Sequence, residues 1–547
     1  MKKLVLLLSL FTLSSANVFS QCTETDVTRV MLIGDSWAQF MNTDNTINPV
    51  FEKWGHSNYK FYSNSTLAAN GTQTGDFLTS TRLNEIQTRL AQYPDIDFVH
   101  LSLGGNDVLN NWDVTYTPFQ TDSLLDSVYA RLTTLIDFIK QQRPGIRVLW
   151  SGYCYPNFGE IIGELSNQSA HPFYGTWQGM GFPDFIQLNG ILNDYSAAMD
   201  TLAANDPQVD FVKATGLMQY IYGQTTPLGV PPGGTYAPYT VPLPLGDPAY
   251  PSPKSSMRNY LFFRDCFHLS AAGYTELINH LSQKFYHKAL MDDQYVLSDG
   301  GTRDGSVSST GAVSSTLQLG NNGTDDLALS LSFNTSTVPD TGIAAASIFL
   351  RRSALTGTNP MANPATLQVR VSNGAFGSSA DVEAVDFSAT GDATDVPCRF
   401  GSFTNDGDWV RLELPSSLLP FIADDTLTQF MITASGATGV VSFSDAADSD
   451  FAPVLNLKYG PSTTTGIASV VSKDDVILYP NPTAGPVLIS APGTRIVDLS
   501  VFNAAGQLVV KPVPSANNFD LTDQPAGIYH VRVISESGVI TKSVVKR

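Results

Sequence analysis

Arg29-Val30-Met31-Leu32-Ile33-Gly34-Asp35-Ser36-Trp37 is the stretch that decides the fold. Four apolar residues in succession, Val30 to Ile33, predict a buried parallel strand, because such strands are covered by helices on both faces. The run stops at Gly34-Asp35-Ser36, where core residues give way to a polar turn. In an open α/β sheet, ligands collect beyond the carboxyl ends of the strands, which places Ser36 at a cleft. A serine hydroxyl is a weak nucleophile and needs a base to take its proton. A Gly-Asp-Ser turn alone is an ordinary loop, so the meaning of Ser36 depends on its partners.

Outward from this stretch, strand-like runs recur at residues 59–63, 98–103, 147–151 and 209–213, giving five candidate parallel strands. Amphipathic stretches lie between and after them. One covers residues 123–142, with Leu125, Val128, Leu132, Leu135, Ile136 and Ile139 near helical spacing and Pro144-Gly145 as a stop. Others cover 184–204 and 271–287, the last with Ser270 as its cap. Alternation of this kind predicts a doubly wound parallel sheet of flavodoxin-like type. The Gly-x-Ser-x-Gly elbow of the other large serine-hydrolase fold is absent.

The partners of Ser36 follow in order. Gly71 lies in the polar loop Ala69-Asn70-Gly71-Thr72, Gly104-Gly105-Asn106-Asp107 follows the third strand, and Asp265-Cys266-Phe267-His268 precedes the helix at Ser270. Together with Gly34-Asp35-Ser36, these four blocks resemble the SGNH (GDSL-type) hydrolases, whose blocks run in this order. The resemblance implies Ser36 as nucleophile, His268 as general base and acid, and Asp265 as the group that orients it. It implies an oxyanion hole of the Ser36 and Gly71 backbone N–H groups with the Asn106 side chain. Asp265 and His268 are three residues apart, within reach of one another in a helical turn. Asp107 is read as a loop-holding residue. No cofactor and no metal is called for.

With 547 residues the chain is too long for one domain. A net charge of −19 argues against nucleic acid or an anionic membrane surface as partner. Lys2-Lys3 followed by an apolar run at residues 4–13 reads as a signal peptide over residues 1–20, cleaved before Gln21. That run is too short to span a bilayer, and no other segment is apolar enough to do so. Gln21 fits poorly to a lipobox before Cys22. Four cysteines in an exported chain permit disulfides. Cys154 and Cys266 both fall near the carboxyl edge of the sheet, where a bridge between them would staple the His268 loop; the pairing of Cys22 and Cys398 stays open.

Residues 21–298 are read as the hydrolase domain. Within it, residues 216–256 form a Pro/Gly/Tyr-rich insert, either a wall of the substrate pocket or a loop packed on the surface. Seven short alternating runs between Leu327 and Lys458 predict an antiparallel sandwich or jelly roll over 299–459. Its looser likeness to carbohydrate-binding modules leaves binder and spacer both open, because Trp409 is its one tryptophan. Acidic clusters at Asp424-Asp425 and residues 445–450 read as solvated turns in preference to calcium sites. Residues 460–475 form a linker. Residues 476–547 open on Tyr479-Pro480-Asn481-Pro482 and contain Ala526-Gly527-Ile528-Tyr529-His530-Val531-Arg532-Val533. This small all-β domain resembles the C-terminal sorting domain of Bacteroidetes type IX secretion cargo. That resemblance implies the type IX machinery as a partner, passage across inner and outer membranes, and a secreted or surface-attached product.

The functional expectation is a secreted ester hydrolase, with short acyl groups on carbohydrate, such as acetylated polysaccharide, as its ester substrate. The alternatives are a lipase or phospholipase with the same triad, and a surface binding protein in which the α/β domain is only a scaffold.

Overall fold

The structure is a computed structural model, and it describes residues 24–223, 236–339, 342–422, 427–460, 476–490, 496–503, 507–512, 517–535 and 538–547. The leader read over residues 1–20, Cys22, Asp424-Asp425 and nearly all of the linker lie outside the described residues. The chain forms two compact units that divide between Tyr459 and Gly460.

In the first unit, β1 (Val27–Gly34), β2 (Tyr59–Tyr62), β3 (Phe98–Ser102), β4 (Arg147–Ser151) and β5 (Val209–Val212) form a sheet in the order β2-β1-β3-β4-β5. Every pairing is parallel. This is the flavodoxin-like order, in which the chain reverses direction across the sheet beside β1. Val30, Met31, Leu32 and Ile33 are fully buried, as a strand covered on both faces requires.

The helices start where capping chemistry directs. Pro118–Gln142 begins on Thr117, whose hydroxyl accepts from Gln120 N while the Gln120 side chain returns to the Thr117 N–H. It starts five residues before the expected point, because Thr117-Pro118 carries the start signal and the apolar periodicity begins later. Phe185–Asn205 repeats the device with Asp184 and Gln187. Ser270 caps Ala271–Leu281 by accepting from Gly273 N at 3.1 Å.

The described part of the insert is pinned by buried side-chain amides. Gln219 donates to the carbonyls of Asp247 and Tyr250 at 3.0 and 2.7 Å and accepts from Asp247 N at 2.8 Å. Asn189 holds the Pro248 and Tyr250 carbonyls, and Asn157 holds that of Ser252. Its tyrosines pair with one another, Tyr236 with Tyr250 and Tyr239 with Tyr220.

All seven strands expected between Leu327 and Lys458 are present, and they belong to an antiparallel sandwich of 13 strands. Strand Ile343–Gly357 serves both sheets. Its first half pairs with Trp409–Glu413 and Val454–Tyr459, and beyond an irregularity at Arg352 its second half pairs with Gly439–Phe443. Gln294–Leu297 pairs with the Val454–Leu457 stretch and so lies in the sandwich. The seam with the α/β layer is aromatic. Trp409, fully buried, stacks on Trp54 at 5.8 Å and lies 4.1 Å from His287, and His56 packs on Phe349 at 5.1 Å. Arg411 donates to Glu24 and, at 3.0 Å, to Asn58, while Asp450 bonds Lys284 at 2.9 Å. Trp409 is therefore core and cannot be a sugar platform.

The second unit holds a three-stranded and a four-stranded antiparallel sheet around Val476, Leu499, Val501, Val531 and Val533. Asn481 of the Tyr-Pro-Asn-Pro run grips the last strand, Gly538–Lys546, accepting from Val545 N and donating to Ser543 O, both at 2.9 Å.

Candidate active site

Ser36 is the first residue of helix Ser36–Thr43, which springs directly from β1. The turn is tight because Gly34 has no side chain: a Cβ there would stand 1.9 Å from Ser102 O on β3. Asp35 caps the helix, its Oδ1 accepting from Trp37 N at 2.9 Å. The Ser36 N–H is thus a first-turn amide, unused by the helix ladder and at the positive end of its dipole.

His268 Nε2 lies 2.7 Å from Ser36 Oγ, and His268 Nδ1 lies 2.8 Å from Asp265 Oδ2. The other Asp265 oxygen accepts from the N–H groups of Phe267 and His268, each at 2.9 Å. All three side chains are buried. The three-residue spacing is not helical, contrary to expectation. The block lies in a hairpin of Met257–Tyr260 and Phe263–Leu269, where Met257 faces Leu269 and Asn259 faces Arg264. Four residues, Asp265 to His268, therefore oppose Arg258 alone. This bulge frees the block from the ladder, and the Asp265 carboxylate takes over as acceptor for the released N–H groups. Trp37 Nε1 donates to Phe267 O at 3.1 Å and ties the serine helix to the histidine bulge.

Asn106 Nδ2 donates to Thr72 O at 3.0 Å, and its second amide hydrogen remains available to a ligand. Gly71, exposed at φ +73°, precedes that threonine. Asp107 acts as read. Its buried carboxylate accepts from Thr74 N at 2.9 Å and Thr74 Oγ1 at 2.7 Å and pairs with Arg131 at 3.1 Å, fastening the Gly71 loop to the Asn106 helix. Ser36 and Asn106 share a cavity of about 30 Å³ lined mainly by Leu109, Tyr153, Cys154, Pro156, Leu192 and Phe267. Among the described residues, none of those lining it comes from the 216–256 insert, so the pocket-wall alternative has no support there.

Sequence reasoning missed Tyr153 and the full part played by Asp35. Tyr153 Oη donates to Asp35 Oδ2 at 2.6 Å, next to Ser36 in the chain. Its ring fills the space that Gly105 leaves, where a Cβ would come within 2.9 Å. Burial pushes Asp35 up to about 6, against the pull of the Tyr153 and Trp37 hydrogen bonds. The signal for Tyr153 was its place two residues past β4, at the carboxyl edge that also carries Cys154.

The expected Cys154–Cys266 bridge is corrected: both are free, buried thiols. Each sulfur sits in the apolar core as a small hydrophobe, and burial raises the Cys154 thiol to about 12 and Cys266 higher still. Nearness to one sheet edge brought both residues to the site without aiming them at each other. Cys398 is disulfide-bonded.

Residues 32–275 match the family described as GDSL-like Lipase/Acylhydrolase, and residues 477–547 match the Secretion system C-terminal sorting domain. The chain thus carries a GDSL-type acylhydrolase domain and ends in a type IX sorting domain. No curated protein matches it. Among solved structures it is similar to a GDSL-like lipase from Bacteroides thetaiotaomicron, with 13% identity over 48% of this chain and 88% of that one and a TM-score of 0.27. It is also similar to a carbohydrate esterase family 3 protein from Talaromyces cellulolyticus, with 12% identity over 48% and 97% and a TM-score of 0.28. A third similar structure is an acetyl xylan esterase, with 19% identity over 47% and 99% and a TM-score of 0.26. No helix of the described residues is long and apolar enough to cross a membrane.

Proposed function

We propose that the protein is an exported carboxylic ester hydrolase that removes short acyl groups, acetyl above all, from carbohydrate. The observation that carries this reading is the cavity beside Ser36. At about 30 Å³ it is small, is lined mainly by apolar side chains, and suits a short acyl group.

In this reading Ser36 Oγ attacks the ester carbonyl carbon as its proton passes to His268 Nε2, and Asp265 steadies the imidazolium through Nδ1. The carbonyl oxygen, now negative, takes hydrogen bonds from the Ser36 and Gly71 N–H groups and the free Asn106 N–H. One such donor typically contributes about 3 kcal/mol. The carbon–oxygen ester bond then breaks, the alcohol leaves with the proton from His268, and the acyl group stays on Ser36. Water, deprotonated by the same imidazole, releases the acid and restores the serine. The C-terminal domain, residues 476–547, directs the chain through the type IX machinery and across both membranes to the cell surface or beyond.

The test is turnover of chromogenic acetyl, butyryl and octanoyl esters by wild type and Ser36→Ala. Acetyl should be preferred, and Ser36→Ala should lose about a thousandfold or more. Equal rates in the two proteins would remove the catalytic assignment, and faster octanoyl cleavage would remove the short-acyl one.

A further inference from the structure

The hairpin that delivers Asp265 and His268 has a tip that folding does not explain. Tyr260 faces Phe263 across the ladder, so the loop is the two residues Leu261 and Phe262. Leu261 sits at φ +55°. Two-residue hairpin loops give such positions to glycine, asparagine or aspartate, because a larger side chain crowds the backbone there. Solvation also argues for polar residues, yet Leu261 is 77% exposed, Phe262 98% and Tyr260 41%. A Gly-Asn pair would serve both the turn and the water better. Phe182, Tyr239 and Leu245 also combine exposure with positive φ, but this tip does so in a two-residue turn on the strand that carries His268, and there binding accounts for it.

The tip is continuous with the site. Tyr260 packs on Phe173 at 5.2 Å, Phe173 on Phe267 at 4.8 Å, and Phe267 on the His268 imidazole at 4.3 Å. This line of rings ends on the group that hands its proton to the departing alcohol. Because the small cavity takes the acyl group, whatever lies along the rings is the alcohol side of the ester.

We propose that Phe173, Tyr260, Leu261 and Phe262 form the alcohol subsite, a wall on which successive sugar rings of an acylated polysaccharide lie. The proposal rests on the short-acyl carbohydrate reading above. Rings that follow one another at tilts of 39° and 59° offer separate faces to successive sugars, whose hydroxyls stay in water as amphipathic contacts of this kind allow. A lipid surface fits less well, since the cavity beside Ser36 is small and a net charge of −19 opposes an anionic bilayer.

The experiment replaces the tip by Leu261→Gly with Phe262→Asn, a change that suits the turn and so controls for folding. It is made in wild type and in Ser36→Ala, where binding is read without turnover. The thermal midpoint should hold or rise. Affinity of the Ser36→Ala protein for acetylated xylan should fall about tenfold, the worth of one aromatic contact and the leucine beside it. In the active enzyme, the ratio of kcat/KM on acetylated xylan to that on a chromogenic acetyl ester should fall by about the same factor. Acetate release from the xylan with affinity and ratio both unmoved would overturn the subsite and leave the substrate reading standing. Loss of partitioning to phosphatidylcholine vesicles, with xylan affinity intact, would make the tip a lipid anchor and overturn it as well. Chromogenic turnover with neither binding nor deacetylation of the xylan would bring down the carbohydrate reading and the subsite together.

Discussion

Tyr153→Phe should destabilise the hydrolase unit by an amount that grows with pH. The phenylalanine ring still fills the space above Gly105, so the change removes one O–H and no packing. That O–H donates to Asp35 Oδ2 at 2.6 Å in a buried site. Burial raises Asp35 to about 6 in the folded chain, against about 3.9 for an exposed aspartate. At about pH 5 the carboxyl is largely neutral, and the lost bond is an ordinary one of about 1 kcal/mol. At about pH 8 it is ionised, and a bond to a charged group contributes about 1.5–3 kcal/mol. Linkage agrees in sign. The tyrosine bond favours the charged form, so its loss lifts the folded value further above the unfolded one. The variant then holds its proton where wild type has released it. Each further unit costs the variant about 1.4 kcal/mol once pH exceeds both values. The destabilisation should therefore rise from about 1 kcal/mol to about 2–3 kcal/mol between these two conditions. Urea unfolding of both proteins at each pH measures it. An equal difference at the two pH values would show that Asp35 is not ionised beside Tyr153, and the account of the carboxylate beside Ser36 would be wrong.

Other perturbations test other parts of the molecule. Trp409→Ala should cost about 3–5 kcal/mol and lower the unfolding midpoint of the hydrolase and sandwich together; an unchanged midpoint would deny the seam any role in stability. Buried His100 and His287, each depressed to about 3, and His280, depressed to about 4, are neutral when folded but take up protons when unfolded. Stability should thus fall as pH drops from about 6.5 toward those values, by about 1.4 kcal/mol per unit for each histidine. His56, pushed well down by burial, adds to these three, while Asp35, raised to about 6, and Asp304 and Glu413, also raised by burial, work in the opposite direction. A flat urea midpoint from about pH 7 to about pH 5 would contradict this. Deleting residues 476–547 should leave ester turnover intact and hold the protein in the periplasm; continued release from a native-type host would count against the sorting role.

The parallel sheet was legible because its strands are buried on both faces and so read as unbroken apolar runs, Val30 to Ile33 most plainly. Ser36, Asp265 and His268 were legible as types in order, but their geometry was not. Asp265 and His268 look like a helical pair at three-residue spacing, and only the pairing of Met257 with Leu269 reveals the bulge that positions them. Tyr153 escaped because one tyrosine after a strand has no pattern, and its meaning comes from Asp35, 118 residues earlier. The cysteine pairing failed for a related reason: sequence places residues at a sheet edge but does not say which way their side chains point. In the sandwich, the strands missed were those too short to show an alternation, such as Ala393–Asp395 and Cys398–Phe400.

The sandwich takes its meaning from where it is attached. Arg411 reaches Glu24 and Asn58, which stand just ahead of β1 and β2, at the amino ends of these strands. Ser36 stands past the carboxyl end of β1. Seven residue steps along that strand separate the two ends, roughly 23 Å at a strand's rise. A sandwich fixed there cannot wall the cleft, and its single tryptophan is spent on the seam. What it supplies is closure. The amino ends of β1 and β2, with the aromatic faces of Trp54 and His287, would otherwise lie open to water. Covering them leaves the carboxyl edge as the place where irregular loops are free to carry chemistry. The hydrolase sheet and the sandwich therefore form one folding unit with a single active edge. On the proposed reading, substrate selection falls to the elements on that edge, among them the histidine hairpin with its exposed apolar tip.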